Sequence, residues 1–228
     1  MKNFRFLSFW LLLTVGMATV VFNSCGKDDD SDNSGGSNNP NNPGIGPVTS
    51  TTDPGVVING IRWATRNVDR PGTFTDKPED LGMFYQWNAK IGWSSTDPLI
   101  NSNGGTTWMS SWTGNGVSSC EKSNNPCPAG WRMPNQEELQ KLIDAGSVWT
   151  TNGRLFGSML GDGSNTLFLP AAGYRSSNGD LLYSAGSGSY YWSNRTGDTS
   201  IMGFNNNGAG VGDSFGKAFG FSCRCVAE

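Results

Sequence analysis

Five cysteines, Cys25, Cys120, Cys127, Cys223 and Cys225, are the residues of this 228-residue chain best equipped for chemistry. A thiolate is a nucleophile and a metal ligand, whereas a thiol in an oxidising compartment is usually half of a disulfide. An odd number sets one of them apart. Cys25 stands alone near the N-terminus, while the other four fall into two close pairs, Cys120 with Cys127 and Cys223 with Cys225. Near the C-terminus Phe219, Phe221, Cys223 and Cys225 alternate with Ala218, Gly220, Ser222 and Arg224, a strand pattern that puts both cysteines on one apolar face. Positions two apart on a strand are about 6.6 Å apart, too far for an unstrained mutual bridge. Each is therefore expected to reach Cys120 or Cys127, in either order, giving two disulfides. The chain contains no histidine. That removes the Ser-His-Asp and Cys-His routes to an activated nucleophile, imidazole-bound zinc or iron, and an imidazole general base. No catalytic residue, metal ligand set or cofactor is expected.

The elements that must position these residues begin with an export signal. Lys2 and Arg5 precede an apolar run over residues 6–22, too short and too poorly flanked for a transmembrane helix and suited to a signal peptide over residues 1–24. Phe22-Asn23-Ser24-Cys25-Gly26 resembles a bacterial lipobox, loosely matched at its first positions, so Cys25 is expected to be lipidated and to anchor the chain without spanning the membrane. Residues 25–55 are rich in Gly, Ser, Asn and Asp and cannot offset their ordering entropy. As a coil this tether has a reach of about 30 Å. Its run Lys27-Asp28-Asp29-Asp30 resembles the surface-export signal of lipoproteins from Bacteroidota, which implies an outer-membrane, surface-exposed location. Removing Lys2 and Arg5 takes the formal net charge from −3 to −5, and five acids against one lysine sit in the tether. The folded remainder is nearly neutral, which argues against a nucleic-acid partner.

Residues 56–228 suit one domain. Val56-Val57-Ile58, Asn59-Gly60 and Ile61-Arg62-Trp63 read as a β-hairpin, and a second is expected over residues 174–183 around Asn178-Gly179. Further strands are expected over residues 83–87, 167–169, 189–193, 201–204 and 218–226. One helix is clear: Asn135 can cap it, Glu138 can reach back, Leu139, Leu142 and Ile143 share a face, and Gly146 stops it. A weaker helical or irregular piece is expected over residues 76–82. The class is α+β, with short antiparallel strands and little helix.

The run Pro126-Cys127-Pro128-Ala129-Gly130-Trp131-Arg132-Met133-Pro134-Asn135 resembles the signature of the Fibrobacter succinogenes major paralogous domain. So do Trp63-Ala64-Thr65-Arg66-Asn67-Val68, Tyr85-Gln86-Trp87-Asn88, Leu169-Pro170-Ala171-Ala172-Gly173-Tyr174-Arg175, Tyr191-Trp192-Ser193 and Arg224-Cys225-Val226. The resemblance implies a C-type-lectin-like fold, related to formylglycine-generating enzymes, with Trp131 and Trp192 as scaffold. It also implies that Cys127 pairs with Cys225, leaving Cys120 to Cys223; the cross-connected arrangement is the alternative. A copper-binding or catalytic use of Cys223 and Cys225 is not expected, because the active pair of those enzymes lies in a different sequence context. Met133-Pro134-Asn135 and Trp192-Ser193-Asn194 match the calcium motifs of such lectins poorly, and Asp162-Gly163-Ser164-Asn165 reads as a polar turn.

Residues 194–214 are dense in Asn, Asp, Ser, Thr, Gly and Ala and are expected to form a ligand-binding loop through Arg195, Asp198, Asn205, Asn206, Asn207 and Asp213, since function concentrates on loops held by a rigid scaffold. This composition is also what adenine-targeted diversification of Asn codons yields in variable proteins of diversity-generating retroelements. The expected function is a non-catalytic surface receptor or adhesin for a glycan or protein ligand, with a structural subunit of an envelope assembly and, behind it, an oxidase of the formylglycine-generating kind as the alternatives.

Overall fold

The computed structural model describes residues 50–117, 120–158, 165–182, 186–194, 200–213 and 215–228, all within a unit that runs from Gly44 to Glu228. The signal peptide, Cys25, most of the tether, Arg195, Asp198 and the turn at residues 162–164 lie outside the described residues. The chain runs β1 (Val56–Ile58), β2 (Ile61–Trp63), β3 (Met83–Tyr85), β4 (Gly92–Ser94), β5 (Trp131–Arg132), α1 (Gln136–Asp144), β6 (Ser147–Thr150), β7 (Gly153–Gly157) and β8 (Thr166–Pro170). It continues through β9 (Tyr174–Arg175), β10 (Leu181–Leu182), β11 (Gly188–Trp192), β12 (Ser200–Asn205), β13 (Gly208–Asp213) and β14 (Val226–Ala227). The strands form antiparallel sheets of order β1-β2-β14-β5, β6-β7-β8 and β11-β12-β13, with β3-β4 and β9-β10 as separate hairpins.

Local chemistry explains the elements that were expected. Asn59 and Gly60 both adopt positive φ, +47° and +78°, which is what a two-residue turn needs to match the twist of β1 and β2. Asn59 Nδ2 also donates to the carbonyl of Lys141 at 2.8 Å, tying the turn to α1. At the other end of α1, the Glu138 N–H donates to Asn135 Oδ1 and the Asn135 N–H donates to Glu138 Oε2, both at 2.8 Å, so the cap is reciprocal. Leu139 and Leu142 bury completely against Trp63, Phe156, Met202 and Phe204. The hairpin around Asn178-Gly179 forms with Leu181 opposite Arg175, and residues 76–82 are irregular.

The segment 218–226 departs from the expected strand. Only Val226–Ala227 is a ladder strand; Ala218 and Phe219 lie in a turn, where the Phe219 N–H donates to the Gly216 carbonyl, and residues 220–225 form a connector bridged to neighbouring segments. Phe221 exchanges backbone bonds with Tyr85, the Ser222 N–H donates to Tyr190, and the Ser222 and Cys223 carbonyls accept from Trp192 and Val68. Expected alternation fails for the same reason: Ser222 and Arg224 are as buried as Phe221 and Cys223. Arg224 is accommodated because its Nε donates to Asn67 Oδ1 at 3.0 Å and its Nη1 to the Ala64 carbonyl at 3.1 Å, which offsets the cost of burying a polar group.

The fold also begins before residue 56. Ser50 bridges to Phe74, and the Asp53 carboxylate accepts from the Gly55 and Thr65 N–H groups at 2.8 and 2.9 Å and from Arg66 Nε at 3.0 Å. Burial raises the Asp53 pKa, but these bonds outweigh it and hold it below the ordinary carboxyl value. Glu138 behaves likewise: burial raises it, and the two bonds from Arg132, at 2.7 and 2.8 Å, with the Asn135 N–H bring it lower. A carboxylate with a depressed folded pKa contributes stability that is complete above its unfolded value and lost as pH falls through the folded one. The melting temperature is therefore expected to hold above about pH 5 and to fall below about pH 4. Asp53→Asn should lower the neutral-pH plateau and flatten that acid limb; an unchanged limb would show that Asp53 is not among the groups responsible.

Candidate functional site

Of the residues expected to bind ligand, the structure brings together Asn205, Asn206 and Asn207, at the tip of the β12–β13 hairpin. The Asn207 N–H donates to Asn205 Oδ1 at 2.8 Å, closing a local turn, while the Asn205 carbonyl accepts from Arg154 Nη1 at 2.9 Å. Arg154 is itself held by Ser147 Oγ at 2.7 Å, so the tip is pinned to the β6–β7 hairpin. Asp213 ends β13, at the opposite end of the hairpin from this turn. Residues 200–213, expected as part of a loop apart from 201–204, are thus two paired strands.

Strand alternation divides this sheet into two unlike faces. The face made by Tyr191, Met202, Phe204, Ala209 and Val211 packs on the core around α1. The opposite face has rows set by register: Trp192, Ile201 and Gly212; Tyr190, Gly203 and Gly210; Gly188, Asn205 and Gly208. Trp192 and Ile201 are buried at one end. Across the middle the Tyr190 ring lies over Gly203, where a Cβ would come within 2.6 Å of the ring. The ring is packed on its other sides by Tyr174, Phe215 and Phe221, with centroids 5.1–5.2 Å away.

Beyond Tyr190 the floor is bare. Among the described residues a Cβ at Gly208, Gly210 or Gly212 would meet nothing within 4 Å, and none of the three has the positive φ that requires glycine. The result is a shallow recess of about 510 Å³, open to solvent, walled by Tyr190, floored by peptide backbone, and edged by Asn205 and Asn207. Among the described residues no charged side chain lines it. Sequence reasoning passed over Tyr190 and the glycines. The available signal was the alternation Gly208-Ala209-Gly210-Val211-Gly212, a period of two in which one face is apolar and the other has no side chain.

The cysteines are placed differently from the two expected bridges. Cys127 and Cys225 are bonded, with Cα atoms 6.1 Å apart, but Cys120 and Cys223 are thiols. Both thiols pack against the same cluster as the disulfide. Burial pushes the Cys120 thiol up to about 11, against a hydrogen bond from the Asn88 N–H; burial, and then Cys120, push Cys223 well above its ordinary value. Both shifts disfavour the thiolate, the reacting species in disulfide formation. Asn135 acts as the helix cap, and the Asn194 N–H donates to Pro134 at 2.7 Å. Among the described residues, no group of three or more Cys, Asp or Glu is arranged to hold a metal. No family model, curated protein or solved structure matches the chain.

Proposed function

We propose that this chain is a non-catalytic ligand-recognition module, carried at the bacterial surface on a lipidated Cys25 and a tether rich in Gly, Ser and Asn, with the glycine-floored recess on β11-β12-β13 as its binding site. The observation that carries the reading is the set Gly208, Gly210 and Gly212. Glycine inside a strand costs roughly 0.5–1 kcal/mol relative to alanine. Neither backbone conformation nor an atom of the described residues requires it at these positions. A close-approaching ligand is the remaining physical reason for a bare strand face. Supporting the lectin-like expectation are the pairing of β14 with β2, which joins the two ends of the domain in one sheet, and the single capped helix packed on the core. A formylglycine-generating activity is disfavoured because Cys225 is spent in a disulfide and the Cys223 thiol is buried with a raised pKa.

The carrying observation has a direct test. Gly208→Ala, Gly210→Ala and Gly212→Ala are each expected to raise stability by about 0.5–1 kcal/mol in chemical denaturation, since the added methyl meets open space. If all three destabilise, the glycines serve the fold and the recess loses its claim. The anchor is tested separately: Cys25→Ala should release the chain from membranes into the soluble fraction, because the acyl chains supply about 0.8 kcal/mol per buried methylene. Retention through high-salt washing would overturn the lipoprotein assignment.

A further inference from the structure

Resting on the recess proposed above as a binding site, we infer that its ligand is a neutral carbohydrate, with pyranose rings lying along Gly208, Gly210 and Gly212 against Tyr190 and hydroxyls meeting Asn205 and Asn207. Three features of the recess select this chemistry. The first is charge. Among the described residues no Lys, Arg, Asp or Glu lines the recess, so a carboxylate, sulfate or phosphate entering it would shed water without gaining a counter-charge from them, which is costly. A neutral ligand avoids that loss.

The second is shape. Protein partners anchor through side chains buried in well-packed pockets at the centre of an interface, and a floor of three glycines has no such pocket. A saturated six-membered ring is instead a slab, with C–H groups on its faces and hydroxyls around its edge. Laid flat, it covers exposed peptide planes without needing a hole, and the absent side chains give it the depth. The recess is open to solvent, so it suits internal units of an oligosaccharide chain as well as a terminus.

The third is the combination of wall and rim. Tyr190 is a partly exposed side chain held by three neighbouring rings, which limits the entropy lost on binding. Its companions at the rim are primary amides. Asn205 commits its Oδ1 to the Asn207 N–H, leaving Nδ2 to donate, and the exposed Asn207 amide offers both a donor and an acceptor. An amide offering both matches hydroxyls, which also donate and accept, better than it matches an ion of one sign. Arg154 fixes the backbone beneath this rim through the Asn205 carbonyl and acts as a positioning residue.

The test uses the purified full chain on an array of neutral oligosaccharides built from glucose, mannose, galactose and N-acetylglucosamine. Uronic-acid and sulfated oligomers form a charged arm, and immobilised extracellular-matrix proteins form a protein arm. Gly210→Val and Gly212→Val are compared with the parent, both at positions where the side chain meets open space. At least one neutral oligosaccharide should bind, and each variant should weaken that binding tenfold or more while its melting temperature stays level or rises. Amide resonances of Gly208, Gly210 and Gly212 should shift on titration with that sugar. Binding confined to the charged or protein arm, and lost in the same variants, would overturn the carbohydrate assignment while leaving the recess as the site. Binding of any arm that both variants leave unchanged would overturn the recess itself, as would the absence of binding in every arm.

Discussion

Trp192→Ala is expected to cost about 3–5 kcal/mol of stability and to lower the yield of folded protein before any question of ligand arises. Trp192 is 1% exposed. Its indole packs on Phe221 with ring centroids 4.5 Å apart, and its Nε1 donates to the Tyr85 carbonyl at 2.6 Å. The Tyr85 carbonyl keeps a second partner in the Phe221 N–H, so most of the loss is the cavity left where β11, β3 and the 220–225 connector meet. Trp192→Phe should recover a large part of it. An exposed change in the hairpin tip, such as Asn207→Ala, should shift the denaturation midpoint by only about 0.5 kcal/mol. If Trp192→Ala were as stable as the parent and bound no ligand, the site would have to be moved from the bare end of the sheet to the buried one.

Breaking the Cys127–Cys225 bridge should be of similar size. It closes a loop of 98 residues, for which the chain-entropy model gives about 4.7 kcal/mol. Cys127→Ala or Cys225→Ala should show this as a lower denaturation midpoint, and reduction should do the same to the parent. Cys120→Ala should cost far less, because Cys120 is half-buried and unbonded. Peptide mapping without reductant should find Cys127 joined to Cys225. Cys120 and Cys223 should label with a thiol reagent only slowly until the chain is unfolded. A Cys120–Cys127 bond would contradict this arrangement outright, and rapid labelling of Cys223 would contradict its burial.

Much of the local structure was legible because its cause is local. Asn59-Gly60 specifies a turn through the φ values those two residues tolerate, and Asn135 with Glu138 specifies a helix start through two hydrogen bonds three residues apart. The burial of Trp131 and Trp192 was expected from the family resemblance, and their apolar bulk accounts for it. The alternation of residues 218–226 misled because it assumes one wet face, whereas here both faces are covered and even Arg224 is buried. Nothing in the spacing of Arg224 announces that Asn67, 157 positions earlier, will accept its hydrogen bond. The pairing of Cys127 with Cys225 was expected only from a family resemblance, and the thiol state of Cys120 and Cys223 was not expected at all.

The candidate site divides the same way. Sequence alone determined that residues 194–214 are polar and glycine-rich, that histidine chemistry is absent, and that Asn205, Asn206 and Asn207 stand in one run beside Gly208. Only the tertiary structure decided that Gly208, Gly210 and Gly212 stand on one face beside Tyr190, and that the other face is buried against α1. The reason is physical: a glycine's role depends on what would have met its missing side chain. That is set by the strands on either side and by the space above them, which are brought together by pairing between residues far apart in the chain.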